Sequence, residues 1–316
     1  MIKKIITLIM LVSVLVPCLF AEKYAGEIFK IGAGVRNFSM GRAGVTDIKS
    51  PALAYWNSSL LLVREHNAFE LMHAEEFNGL LKYDTFSGSF GENNKIGFTL
   101  ARIGVNDIKL TGLANPSLPV GPDNPPEIID RVNTQDYILY LGFARYLGKV
   151  PLGFTPKLVY RDLAGVSAFG FGLDLSTFIQ AYEYFTFGFR LRDIVPAQIF
   201  WDDGVKESVA TGLDFEMQIH TFMPVIDKPL NLYVNGEFNS DNMISTAKAN
   251  AGILSLDPHL GAELILHNSV SLFAGYDINN FTTGIEVNYN QFLLNYSFEQ
   301  DTELDNSHRL SIGYKF

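Results

Sequence analysis

Cysteine is almost absent. The single one, Cys18, lies in the N-terminal segment, so disulfides, thiol catalysis and cysteine-based metal sites are excluded from the body of the chain. Charge is scarce, at 18% of residues where a soluble domain usually carries roughly a quarter. Positive charge is not in excess: the formal net charge is −10 and no basic stripe is visible, which argues against nucleic acid as a partner. Beyond the N-terminus no run reaches the roughly 20 apolar residues a membrane helix needs. Catalytic signatures are missing too: no His-Glu-x-x-His, no Gly-x-Ser-x-Gly turn and no phosphate-binding Gly-Lys-Ser/Thr loop. The six histidines show no metal-ligand spacing, and several near strand ends read as rings at an interface. No enzyme activity, cofactor or metal is expected.

What is present is apolar and aromatic: 47% hydrophobic residues, with 25 Phe, 14 Tyr and 27 Gly. That composition rules out disorder. An apolar chain without apolar blocks must carry its hydrophobicity in alternation.

The N-terminus reads as an export signal over residues 1–21. Lys3 and Lys4 precede an apolar run from Ile5 to Val16, Pro17 breaks it, and Ala21 is a small residue before a cut. Leu15-Val16-Pro17-Cys18 loosely resembles a lipoprotein cleavage box, which leaves a lipid-anchored start as an alternative.

From residue 67 to 316 the chain alternates with period two, the spacing at which strand side chains reach opposite faces. Phe169, Phe171, Leu173 and Leu175 oppose Gly170, Gly172, Asp174 and Ser176; Phe185, Phe187, Phe189 and Leu191 oppose Thr186, Gly188, Arg190 and Arg192. Such segments fall near 67–74, 81–90, 95–105, 135–146, 150–161, 168–180, 184–192, 207–220, 229–239, 257–266, 270–277, 281–289, 292–299 and 307–316. Most have the roughly 9–12 residues of a tilted strand crossing a bilayer, and the even number suits a bacterial single-chain barrel. Connections after even-numbered strands are short, whereas 106–134, 193–206 and 240–256 read as long loops. This places both termini on the inner side. A soluble sandwich or propeller would have strands of about 5–6 residues and more Lys and Glu on its wet face. The expected fold is therefore all-β: a transmembrane antiparallel up-and-down β-barrel of about 14 strands in the bacterial outer membrane, in contact with its lipid. The last strand ends Leu310, Ile312, Tyr314, Phe316 at alternate positions, similar to the signal read by the outer-membrane assembly machinery.

The inward parity carries both signs of charge: Lys157, Arg161, Asp174, Arg190, Asp214, Glu216, Glu237, Glu263, Glu286 and Arg309. These residues either pair with one another or hold a plug and guide a solute. Residues 22–66 do not alternate. Gly32, Gly34, Gly41 and Gly44 suggest a flexible stretch, Ser50-Pro51 an N-cap with proline at the first helical position, and Leu53 to Leu62 are too apolar for a free tail. A barrel this wide is not filled by side chains from its own wall, so this segment is expected to be a plug.

Within it, Arg36-Asn37-Phe38-Ser39-Met40-Gly41-Arg42-Ala43-Gly44 and Ala54-Tyr55-Trp56-Asn57 resemble the N-terminal hallmark of the PorV/PorQ-like outer-membrane proteins. The related FadL-like transporters share a looser version. Gly104-Val105-Asn106-Asp107-Ile108 with Thr111, and Arg192-Asp193-Ile194 with Trp201-Asp202-Asp203-Gly204, agree with that resemblance. Asn57 is followed by Ser58-Ser59 where the family usually has Pro-Ala. The resemblance implies a 14-strand FadL-like barrel with its start inside, and a plug motif of Arg36, Met40, Gly41, Ala43, Tyr55, Trp56 and Asn57. It also implies a role as component or cargo-handling partner of a type IX-like secretion system, with Phe200, Trp201 and Asp202 as outer-loop contacts for secretion-system proteins. The alternative is a transporter for hydrophobic, fatty-acid-like small molecules.

Overall fold

The computed structural model describes residues 26–91, 94–240, 249–251, 254–301 and 304–316. The expected signal peptide, Cys18 and the first residues of the plug segment lie outside the described residues.

Fourteen long strands follow one another around a closed antiparallel ring: β1 (Ala68–Glu76), β2 (Leu81–Phe90), β3 (Ile96–Leu113), β4 (Pro126–Leu147), β5 (Val150–Leu163), β6 (Val166–Ala181), β7 (Phe185–Trp201), β9 (Gly212–Met223), β10 (Lys228–Asn239), β12 (Leu254–His267), β13 (Val270–Asp277), β14 (Asn280–Tyr289), β15 (Phe292–Gln300) and β16 (Ser307–Lys315). Two short strands, β8 (Lys206–Ser208) and β11 (Ala249–Ala251), pair with β7 and β12 at the rim. The ring closes where β1 pairs with β16, Ala68 opposite Lys315, and continues past β11 through the pairing of β10 with β12. Closure leaves no edge strand, so every wall strand has two hydrogen-bonded neighbours.

The alternation sorts the faces as read from sequence. Along β16, Arg309 and Ser311 are 4% and 8% exposed, while Leu310 and Ile312 are 59% and 50% exposed. Outward Leu310, Ile312 and Tyr314 continue into Phe316, which stacks on Phe69 of β1 and on Tyr314.

Two expected loops are strand instead. The 106–134 stretch is largely a hairpin: β3 and β4 pair as far as Leu113 opposite Pro126, leaving only 114–125 as the connection. A register shift between Val105 and Ile108, with Asp107 at φ 59°, bends the hairpin there. Beyond the bend both faces meet water, so the sequence loses its apolar alternation and mimics a loop. The 193–206 stretch is likewise strand as far as Trp201. Phe200 and Trp201 therefore sit on β7, and only Asp202 begins a turn. Asp193 at φ 49°, Pro196 and register shifts opposite Leu173 interrupt the pairing, which is how β7 tolerates proline. Most of the expected 240–256 loop lies outside the described residues.

The segment before β1 occupies the lumen. It is built from one-turn helices at Glu27–Phe29, Val35–Ser39, Leu53–Trp56 and Ser58–Leu62. The expected flexible glycine stretch is buried instead. A Cβ on Gly41 would stand 2.5 Å from Leu260 O, and one on Gly275 would stand 2.1 Å from Gly41 N. Plug and wall backbones touch there, which only glycine permits. Ser50 is not the N-cap of the next helix: Ala52 is, and Ser50 Oγ accepts from Ala52 N at 3.1 Å.

Leu158 faces outward near the middle of β5, and an arginine there must enter lipid. Leu158→Arg is expected to cost roughly 2–4 kcal/mol in denaturant unfolding from lipid vesicles. An unchanged midpoint would show that this face does not meet hydrocarbon.

Candidate functional site

The lumen wall presents an apolar cluster and a set of paired charges. On the arc from β2 to β7, the half toward the long connections is lined by inward apolar side chains: Tyr83, Ile103, Ile138, Tyr140, Val159 and Ile199. They pack against Phe29, Val35, Phe38, Tyr55 and Trp56 of the plug, with Trp201 at the edge. Tyr55 meets Trp56 and Tyr140 edge-on at 4.8 and 5.1 Å, and its hydroxyl donates to Phe29 O at 3.0 Å. Trp56 Nε1 donates to Ala33 O at 2.7 Å, and Tyr83 Oη donates to Gly32 O at 2.5 Å. Tyr140 Oη and Trp201 Nε1, both at this cluster, have no hydrogen-bond partner among the described residues.

Charge lines the wall as well, on β5 to β7 beside this cluster and on the strands beyond it, and the charges pair. Lys157 lies 2.9 Å from Asp174 and 2.9 Å from Asp193. Arg190 reaches Asp174 at 2.8 Å and Asp214 at 3.7 Å. Arg192 continues to Asp214 at 2.9 Å and Glu237 at 3.6 Å, and His259 joins Glu237 at 3.7 Å to Asp277 at 2.8 Å. Arg309 holds Glu76 at 2.6 Å and Glu299 at 2.7 Å, with its guanidinium 4.2 Å from the centre of the Phe38 ring. Arg161 is half-buried at the outer mouth, 2.9 Å from Asp136 and stacked over Trp201 at 5.4 Å. His259 is thus a buried lumen residue and not an interfacial ring. Glu76 and Glu299 belong to this network although the sequence did not mark them, and Arg192 and Asp193, marked there as part of a family motif, are lumen charges. Arg192 and Glu299 share the inward parity of their strands, which was the available signal.

Three of the lumen carboxylates grip the plug. Arg36 is fully buried and meets Asp47 at 2.7 Å, Glu263 at 3.1 Å and Glu286 at 3.1 Å. Burial alone would lower the Arg36 pKa, but the three carboxylates outweigh it and hold the guanidinium well above its ordinary value. Glu216 accepts from Gly44 N at 2.9 Å, Thr46 N at 2.8 Å and Thr46 Oγ1 at 2.6 Å. Of the plug motif, Met40 and Ala43 pack on Tyr233 and Phe273, Tyr55 and Trp56 fill the apolar arc, and Asn57 Nδ2 donates to Val45 O at 2.7 Å. Ser58 and Ser59, where the sequence departs from the PorV/PorQ pattern, tie the plug to the wall through Thr155 Oγ1 at 2.6 Å and Ser176 Oγ at 3.3 Å.

On the inner side a cavity of about 690 Å³ opens beneath the plug. Its walls include Asp47, Lys49, Phe178, His220, Asn231 and Glu263. The plug segment Thr46–Lys49 separates this vestibule from the lumen above.

Removing the Arg36 side chain would leave buried carboxylates uncompensated, at a cost of about 3–5 kcal/mol. Arg36→Ala is expected to lower the unfolding midpoint and raise conductance in planar bilayers as the plug loosens. Unchanged conductance and stability would show that the triple contact does not hold it.

No family model matches the chain, and no curated protein matches it. Solved structures do resemble it. It superposes on a deltaS2 mutant of the TodX monoaromatic hydrocarbon channel with a TM-score of 0.53 at 10% identity, covering 90% of this chain and 97% of that one. With the CymD monoaromatic hydrocarbon channel the TM-score is 0.51 at 11% identity, covering 90% and 97%. At such identities the likeness shows a shared fold, the closed outer-membrane-type barrel described above.

Proposed function

We propose that the protein is a bacterial outer-membrane channel that admits small hydrophobic molecules. The observation that carries this reading is the apolar arc of the lumen. A barrel that conducts hydrated solutes has a polar interior. Here Tyr83, Ile103, Ile138, Tyr140, Val159 and Ile199 point inward at the outer half and meet an aromatic plug face. The unpartnered Tyr140 Oη and Trp201 Nε1 offer polar contacts within greasy surroundings, the composition typical of a small-molecule site. Two barrels of the same fold are hydrocarbon channels by name, which favours the same class of cargo.

The secretion reading rests on the PorV/PorQ-like motifs alone. Their residues have a sufficient role as joints: Arg36 and Gly41 fasten plug to wall, Asp107 bends β3, and Asp193 bends β7 while pairing with Lys157. None of this requires a protein partner.

The two tryptophans, Trp56 and Trp201, both sit at the apolar arc, so intrinsic fluorescence reports its occupancy. Toluene or 1-decanol added to the detergent-purified barrel is expected to shift the emission saturably, and Trp201→Phe to remove part of the change. Barrel-containing liposomes are expected to stay impermeable to sugars. A rapid sugar flux with no fluorescence response would overturn the proposal.

A further inference from the structure

A smaller cavity of about 210 Å³ opens on the inner side, next to the vestibule, with Ile48, Lys49 and Glu65 lining both. Its other walls are Arg64, His66 and Lys315. Three basic side chains, Lys49, Arg64 and Lys315, thus face one space with a single carboxylate, Glu65. Lys49 is already engaged with Glu263 at 2.8 Å. Arg64 and Lys315 form no ion pair with a carboxylate among the described residues. Arg64 is 95% buried by its 5% exposure and is locked by backbone oxygens: Nε donates to His66 O at 2.6 Å, and Nη1 donates to Ile48 O at 2.8 Å and Ser50 O at 2.7 Å. Lys315 Nζ donates to the neutral Asn288 Oδ1 at 3.2 Å.

A buried guanidinium held by carbonyl dipoles alone carries uncompensated charge, which is costly. Burial accordingly pulls Arg64 down to about 10, with Arg36 adding repulsion and only Asp47 and Glu70 opposing it. The position is also built rather than incidental, because three hydrogen bonds fix the guanidinium where the plug turns into β1.

We propose that this cavity is a site for an oxyanion, a carboxylate or phosphate group, bound by Arg64 and Lys315 with Lys49 at the rim. The inference rests on this cluster and not on the transport reading. The anion is either the head group of an amphiphile on the inner side or a free small anion. The neighbouring vestibule is lined by Asp47, Glu183 and Glu263, which disfavour the same group there, while Glu65 borders both spaces.

The test uses the full-length barrel in a neutral detergent, with calorimetric titration of decanoate, 1-decanol and inorganic phosphate. Decanoate is expected to bind more tightly than 1-decanol, and Lys315→Gln to weaken the anion by about tenfold while sparing the alcohol. Higher ionic strength should erase the difference. Phosphate binding lost in Lys315→Gln, without a decanoate preference, would identify a free anion as occupant. Arg64→Gln can fail to fold because its donors tie the plug turn, so Lys315→Gln and Lys49→Gln carry the test, with gel mobility on heating as the folding check. The proposal is overturned if phosphate does not bind and decanoate matches 1-decanol, or if anion binding survives unchanged in Lys315→Gln. Binding of 1-decanol itself reports separately on the hydrophobic channel.

Discussion

Closure of the hydrogen-bonded ring between β1 and β16 is the constraint from which the rest follows. In hydrocarbon an unpaired backbone group has no water to turn to, so a strand wall is tolerated only when it has no edge. Pairing Ala68 through Glu75 with Lys315 back to His308 removes that edge. Closing fourteen strands leaves a lumen too wide for wall side chains to fill. The chain's own start fills it, and the wall has to accommodate that segment at close range. Gly261 and Gly275 stand where Met40 and Gly41 pass, because any larger residue would meet plug backbone.

A filled lumen also explains why so much charge persists inside. Lys157, Arg190, Arg192 and Arg309 are nearly fully buried, and each has at least one carboxylate on a neighbouring strand. Replacing such pairs by apolar side chains can be neutral or favourable for stability, so their retention points to a specificity role. In this barrel they fix which plug residues face which strands. Arg36 can satisfy Glu263 and Glu286 together only in one position, and Glu216 captures the backbone donors of Gly44 and Thr46 only if residues 44–46 turn toward it. The apolar contacts supply adhesion without register, and the ionic contacts supply register.

Much of this was legible in residue order. Period-two alternation gave the strand number, the lipid face and the inward charges, because a strand's side chains are assigned to faces by parity alone. The plug was legible from its apolar, non-alternating character. The hairpin beyond Val105 was not, since a strand wet on both faces has no reason to alternate. Phe200 and Trp201 were misplaced on a loop because Asp193 and Pro196 look like turn residues, and nothing local reveals that β6 and β8 continue to pair with β7 around them.

By itself, then, the sequence determined a membrane-crossing barrel with a stoppered interior, since those properties depend on parity, strand length and composition, which are local. Only the tertiary structure decided which inward residues meet. Arg36 and Glu286 are 250 positions apart, and Lys49, Arg64 and Lys315 come from opposite ends of the chain. Their convergence is set by ring closure and by the path of the plug, and neither leaves a periodic trace in the residues themselves.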